Sequence, residues 1–247
     1  SPQRSLDIAI NEYAPGRTIV VDKKTYKSGG FYSPVPFKNS DYYSPAAEYF
    51  KPENGYFFNL YMCNNPLCGW FGREKPKDDL CPFCGQPITE ENTREMIKPW
   101  GFAPVNGKDI PESEAISDMT YSGDPCYSAT PSGDLSSTKY KNIKVANAED
   151  QEIIVLNKGH DDEGFDVCTK CGAAQPHGDK TLRENLIGAP YFQSGRPAHC
   201  DHANVDEGLF VGTSFLTDMF FLQIELDSEK ITDNDLILKS ASQTLAE

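Results

Sequence analysis

The residues able to do chemistry in this chain are thiols. Cys63-x4-Cys68 is followed by Cys81-x2-Cys84, and Cys168-x2-Cys171 by Cys200-Asp201-His202, so seven of the eight cysteines stand at metal-ligand spacing. A CxxC followed by glycine forms a tight knuckle, in which backbone amides point at the sulfurs and two thiolates converge on one tetrahedral ion. The knuckle occurs twice, as Cys81-Pro82-Phe83-Cys84-Gly85 and as Cys168-Thr169-Lys170-Cys171-Gly172. Cys63, Cys68, Cys81 and Cys84 have the four-thiolate pattern of a zinc ribbon, and four thiolates leave no position for water or substrate, which predicts a structural site. In the second cluster Cys168, Cys171 and Cys200 supply three thiolates. Spacing favours His202 as the fourth donor, because Cys200-Asp201-His202 puts two ligands on one short turn while the residue between them faces away. His199, His177 and His160 stand as alternatives, with Cys126 as an outsider. As solvated loop residues, His160 fits Gly159-His160-Asp161-Asp162 and His177 fits Gln175-Pro176-His177-Gly178. The expected cofactor is Zn2+, two per chain.

Other chemistries fit less well. Two local disulfides would suit a secreted protein, but frameworks of that density belong to much shorter chains. A zinc hydrolase at the second cluster needs three protein ligands, a water and a general base; Glu184 or Asp201 could be named, without motif support. No phosphate-cradling Gly-x4-Gly-Lys-Ser/Thr, His-Glu-x-x-His or Gly-x-Ser-x-Gly occurs. Ligands are abundant and a catalytic constellation is not, so no enzyme activity is expected of this segment.

Composition narrows the partners. A formal net charge of −14 repels long nucleic acids from the average surface, leaving only local patches to meet phosphates. The candidates are Arg17, Lys23, Lys24 and Lys27; Arg73, Lys75 and Lys77; and Lys139, Lys141 and Lys144, each of which reads first as a solvated face. The apolar run Met219-Phe220-Phe221-Leu222 is broken by Gln223 and Glu225, far short of the ~20 residues of a membrane span. No membrane partner is expected. Ser1-Pro2-Gln3-Arg4 opens no secretory or transit pattern, so the expected location is cytoplasmic, where reduced thiols favour metal. Apolar residues recur at helical spacing over residues 236–247 with no stop signal, as in a fragment of a longer polypeptide.

These ligands need elements to hold them. Thr18-Ile19-Val20-Val21-Asp22 and Lys24-Thr25-Tyr26-Lys27-Ser28 predict a hairpin turning at Asp22-Lys23 and ended by Gly29-Gly30. Prolines over residues 33–52 suggest an extended loop. Residues 55–62 read as the strand that delivers Cys63, followed by the ribbon order of knuckle, hairpin, knuckle. The aromatic and proline segment 97–104 is expected to pack on the ribbon, and 105–138, which contains Cys126, reads as a linker or mobile loop. Two short strands are expected at 141–146 and 152–156, then one at 164–167 delivering Cys168. Residues 209–226 alternate at their end like a half-buried strand, interrupted by a buried turn at Thr217-Asp218. The predicted class is α+β and β-rich, with few helices and short antiparallel sheets and hairpins braced by two zinc sites. Its parts are a hairpin and loop region (1–60), a ribbon (61–104), a linker (105–138) and a second knuckle region ending in a strand and a helix start (139–247).

Three stretches, in order, carry a resemblance. They are Ala9-Ile10-Asn11-Glu12-Tyr13-Ala14-Pro15-Gly16 before the Val-rich hairpin, Asn157-Lys158-Gly159 running into Gly164-Phe165-x2-Cys168-x2-Cys171-Gly172, and Cys200-x-His202 leading to Gly212-x2-Phe215-x-Thr217-Asp218. Together they resemble the MrfA-like zinc-binding domain. That domain follows the motor of certain DEAD/DEAH-box superfamily 2 helicases, with related copies in DrmA and DrmB of the DISARM antiphage system. The resemblance implies metal ligation by Cys168, Cys171 and Cys200. It also implies a noncatalytic accessory domain of an ATP-dependent DNA helicase, positioning DNA or a partner subunit in DNA repair or antiphage defence. Implied partners are the helicase motor domains of the parent chain or a partner subunit, and DNA through a local patch. No Walker loop or Asp-Glu-Ala-His box lies in this chain, so ATP hydrolysis is not expected of it. The alternative is a protein-interaction adaptor of a defence complex without direct DNA contact.

Overall fold

The computed structural model describes residues 4–32, 45–111, 125–130, 135–179, 192–193, 196–197 and 200–224. Among them the fold is β-rich with one α-helix, α1 (Leu6–Glu12). The strands are β1 (Thr18–Val21), β2 (Lys24–Phe31), β3 (Phe57–Met62), β4 (Phe71–Gly72), β5 (Thr93–Ile97), β6 (Phe102–Pro104) and β7 (Cys126–Ala129). After them come β8 (Ser136–Ser137), β9 (Ile143–Asn157), β10 (Phe165–Cys168), β11 (Ala174–Pro176), β12 (Phe192–Gln193), β13 (Arg196–Pro197) and β14 (Val205–Ile224). β1, β2 and β6 form one antiparallel sheet; a larger mixed sheet runs β11-β10-β14-β5-β3-β4, with β9 joining β14, β7 and β8. The chain divides into two compact units, residues 1–130 with 152–215, and residues 131–151 with 216–247.

In the first unit the large sheet is buried on both faces. Leu209 and Val211 of β14 enter one core with Ile97, Val155, Phe165 and Val167, while Phe210 enters another with Leu60, Phe71, Met96, Ile154 and Leu156. Successive side chains of a strand point to opposite faces. Ile153-Ile154-Val155-Leu156 and Leu209-Phe210-Val211 are therefore continuous apolar runs where a strand with one wet face would alternate. The β14–β5 pair is parallel, Phe210 opposite Met96 and Val211 opposite Ile97, as suits strands covered on both sides. β5 itself carries no strong apolar pattern in Thr93-Arg94-Glu95, and sequence reading missed it.

Several expectations are met and several corrected. β1 and β2 pair with Val21 opposite Lys24, and Asp22 (φ 50°) and Lys23 (φ 63°) make the two-residue turn. Gly29-Gly30 does not end the hairpin; β2 continues to Phe31. A Cβ at Gly29 would stand 2.7 Å from the Val105 Cα and 2.4 Å from its Cγ2, so glycine here admits a crossing backbone. Residues 45–50 and 52–54 are 3-10 turns that bury Tyr49; residues 33–44 lie outside the described set. Segment 97–104 packs away from the ribbon. β6 pairs with β2, Phe102 lies edge-on to Tyr13, and the exposed Trp100 donates from Nε1 to the Tyr56 hydroxyl.

β9 is a single strand of 15 residues, not two, and Asp150 is accommodated within it at φ 51°. β14 likewise runs 20 residues through Thr217-Asp218; Asp218 is exposed and its carboxylate accepts the Asp150 N–H at 3.3 Å. Both misreadings treat polar residues as chain breakers where a wet strand face simply holds them. Within 105–138, the described residues include β7, whose Cys126 lies opposite Leu156, and β8. The expected C-terminal helix at 236–247 lies outside the described residues.

Candidate metal centres

β3 ends one residue before Cys63, and the Cys63 N–H bonds the Trp70 carbonyl at 2.9 Å, folding 63–70 into the first knuckle beside β4. The second is a small hairpin. Its bonds are Cys81 N–H to Gln86 O (2.7 Å), Gly85 N–H to Cys81 O (2.9 Å) and Ile88 N–H to Asp79 O (2.8 Å). The arrangement brings Cys63, Cys68, Cys81 and Cys84 together, with every ligand atom within 4.8 Å of the others. Cys63 and Cys84 sulfurs are 3.4 Å apart and Cys68 and Cys81 sulfurs 3.5 Å apart. Two thiolates on one tetrahedral zinc stand ~3.8 Å apart, whereas a disulfide needs ~2 Å. No disulfide joins any of the eight cysteines, which goes against the disulfide alternative.

The electrostatics of the first cluster are uneven. Burial raises Cys68 and Cys63, while the Gln86 backbone N–H draws the exposed Cys84 down to about 7. Hydrogen bonds from knuckle amides favour thiolate, the form that binds metal. Beneath the thiols, Trp70 (1 % exposed), Cys81 and Ile88 form a small core of their own.

The second cluster lies deeper. β10 delivers Cys168 and turns through the knuckle into β11, with Gly172 N–H on Cys168 O (2.8 Å) and Cys168 N–H on Ala173 O (2.8 Å). Gly172 has φ 80°, a left-handed conformation that residues with a side chain rarely adopt, and a Cβ there would stand a tight 3.1 Å from the Phe31 carbonyl oxygen. Phe31 N–H bonds Gly172 O at 2.8 Å, so the end of β2 clamps the knuckle. Cys200 and His202 arrive from the segment before β14, pinned by Thr169 N–H to Asn204 O (3.0 Å) and by Cys168 opposite Val205. His202 takes φ 47°, turning its ring inward.

Cys168, Cys171, Cys200 and His202 are all buried and their ligand atoms lie within 4.8 Å of one another. The Cys168 and Cys200 sulfurs are 3.8 Å apart, and the Cys171 sulfur lies 3.5 Å from His202 Nδ1. A thiolate and an imidazole nitrogen on one tetrahedral zinc are separated by ~3.5 Å. Contacts with the Cys168 and Cys171 thiols lower Cys200, with His202 adding to the effect, whereas Cys171 is pushed up by its thiol neighbours. Both donor sets therefore fit a tetrahedral metal ion, and neither leaves an open coordination position.

The other candidates sit elsewhere. His160 is exposed beside Asp161, and Cys126 belongs to β7; His199 and Glu184 lie outside the described residues. Asp201 is exposed, accepting from Lys170 Nζ (3.5 Å) and the Ala203 N–H (3.3 Å), and so points out of the cluster. His177 is not a ligand but, as expected, a loop residue, half-buried in the turn after β11 and held by a partner. Its Nδ1 lies 2.6 Å from Asp166 Oδ1, and that carboxylate, 1 % exposed, also accepts the Gly208 N–H at 3.3 Å. Asp166 holds His177 above its usual range, with Glu163 and Glu207 adding to the effect. Sequence reading missed this pair. The available signal was an aspartate inside Phe165-Asp166-Val167, which needs a partner when buried, and the β10–β11 register places His177 just past Pro176, opposite Phe165.

No family model matches the chain, and no solved structure matches it. It is similar along its whole length, at 29 % identity, to Druantia protein DruE of Escherichia coli (strain UMEA 4076-1), and it spans 14 % of that protein's length.

Proposed function

We propose that the chain is a noncatalytic, zinc-braced accessory module of an antiphage defence protein, working in the cytoplasm beside an ATP-dependent DNA helicase motor. The observation that carries the metal half is the pair of closed donor sets, Cys63, Cys68, Cys81, Cys84 and Cys168, Cys171, Cys200, His202. When bound, zinc supplies a tetrahedral cross-link. The first joins the two ribbon knuckles, and the second joins the β10–β11 hairpin to the segment leading into β14. Similarity to a Druantia protein supports the defence half, and the ordered motifs shared with the MrfA-like domain support the motor association. The role that fits both is to hold a rigid surface against DNA or a partner subunit.

Metal analysis of purified chain tests the first half, with about two zinc per chain expected; one per chain would remove the second site. A mobility-shift assay with single- and double-stranded DNA tests the second. A net charge of −14 and the exposed Trp100 and Tyr32 rings favour the adaptor alternative. Capture of a defined subunit by a chain that binds no DNA at low salt would select it.

A further inference from the structure

The two centres differ in what reaches their sulfurs. At the second, all four donors are buried, and the knuckle glycine, Gly172, is pressed against the end of β2, with the Phe31 carbonyl oxygen 3.1 Å from where a Cβ would stand. At the first, residues 82–87 are exposed without a break between buried Cys81 and buried Ile88. The second ribbon knuckle therefore carries Cys84 into solvent on its tip. Cys63 and Cys68, in the first knuckle, are partly exposed. Both ribbon knuckle glycines face open space, since a Cβ at Gly69 or at Gly85 would meet nothing within 4 Å.

The four ribbon thiols also fall into two pairs that cross between the knuckles. The Cys84 sulfur touches that of Cys63 at 3.4 Å, and the Cys81 sulfur touches that of Cys68 at 3.5 Å. A cysteine that ligates metal is a thiolate, and thiolate is the form that attacks an electrophile. Among thiolates, access selects the sulfur that reacts first, and a second thiol beside it turns the product into a disulfide. Cys84 is the donor that a small oxidant meets directly. Cys63 must approach it by only ~1.4 Å to shorten their 3.4 Å contact to the ~2 Å of an S–S bond. The exposed knuckle tip has room for that shift, whereas the clamped knuckle of the second centre does not.

We propose that Cys84 is a site of oxidative modification by hydroperoxides, with Cys63 as its resolving thiol, and that their disulfide dismantles the first centre while the second stays whole. In the first step the Cys84 sulfur attacks one peroxide oxygen and the O–O bond breaks. The departing oxygen takes a proton from solvent and leaves as water or alcohol, and Cys84 becomes a sulfenic acid. The Cys63 thiolate then attacks the Cys84 sulfur, the S–O bond breaks, and the hydroxyl leaves with a proton as water. The two sulfurs give up two electrons in total and the peroxide accepts them. Cys68 and Cys81 are left, two donors where a tetrahedral ion needs four, so the ribbon exchanges its metal for a covalent link between the same two knuckles. A thiol reductant reverses the change by exchange at the disulfide. The inference rests on the zinc-module reading above and gives its first centre a response to oxidants that its second lacks.

The test treats the whole reduced, zinc-loaded chain with graded hydrogen peroxide beside a peroxide-free control. Released zinc is read with a chelating dye, and disulfides are located by alkylation and peptide mapping. One zinc per chain is expected to leave at doses that spare the other, together with a disulfide joining Cys63 to Cys84. Dithiothreitol followed by zinc should restore both the thiols and the metal. Cys84→His keeps a four-donor set without an oxidisable sulfur on the tip; it should hold two zinc and slow peroxide-driven release about tenfold. If that variant loads only one zinc, the disulfide mapped in the unsubstituted chain decides. Release of both zinc ions in step overturns the inference, as does a Cys81–Cys84 disulfide in place of Cys63–Cys84, or Cys84→His losing zinc as fast as wild type. Each of these results leaves the zinc-module reading standing. A reduced chain that holds no metal would overturn that reading instead, and absence of the Cys63–Cys84 link from such a chain after peroxide would overturn this inference with it.

Discussion

Each of the four donors of the second cluster is buried, and removal of one leaves three polar groups in an apolar surround with an incomplete shell. Cys171→Ser is expected to lower zinc from about two to about one per chain and to destabilise the first unit by several kcal/mol, since structural zinc binding is itself folding free energy. Metal content and thermal unfolding measure the two effects. His177→Ala should behave differently: zinc stays at two, while stability falls by about 2 kcal/mol because buried Asp166 loses a charge-assisted bond. A pH signature distinguishes that pair. His177 is raised in the folded state, so its contribution is fully present below an unfolded value of about 6.5 and is lost as pH rises through the folded value. Denaturant midpoints of wild type and His177→Gln should therefore lie further apart at pH 6 than at pH 9. A constant gap would assign His177 a packing role only.

At the scale of elements, close backbone approach decides positions that patterns leave open. Gly29→Ala would push a Cβ to 2.7 Å from the Val105 Cα, a contact that no rotamer relieves. It is expected to cost about 2 kcal/mol, as overpacking does, and chemical denaturation checks it. The same strand end clamps the second knuckle through Phe31 N–H and Gly172 O, so the variant should also speed zinc loss from that cluster. Apolar periodicity made β1, β2, β3 and β10 legible, because each begins or ends at a turn or ligand that marks its boundary. It failed for β5, whose Thr93, Arg94 and Glu95 look like loop residues until β3 and β14 flank them, and for β9 and β14, whose length comes from partners rather than composition.

Across the whole molecule the two centres differ in access. The ribbon exposes Cys84 and half-exposes Cys63 and Cys68, whereas the second cluster is buried at all four donors. Zinc release to a colorimetric chelator is accordingly expected in two phases of equal amplitude, the fast one from Cys63, Cys68, Cys81 and Cys84. A single phase would mean that the centres lose metal together by global unfolding. No helix among the described residues is long and apolar enough to cross a membrane.

Residue type and spacing alone were enough to group the two thiol clusters and to prefer His202, because ligand chemistry demands particular atoms and a short turn confines where they point. They could not show that Asp166 needs His177, that Gly29 admits Val105, or that β14 joins strands far apart in sequence. Those depend on which backbones approach one another, a choice made by burying both faces of the large sheet at once.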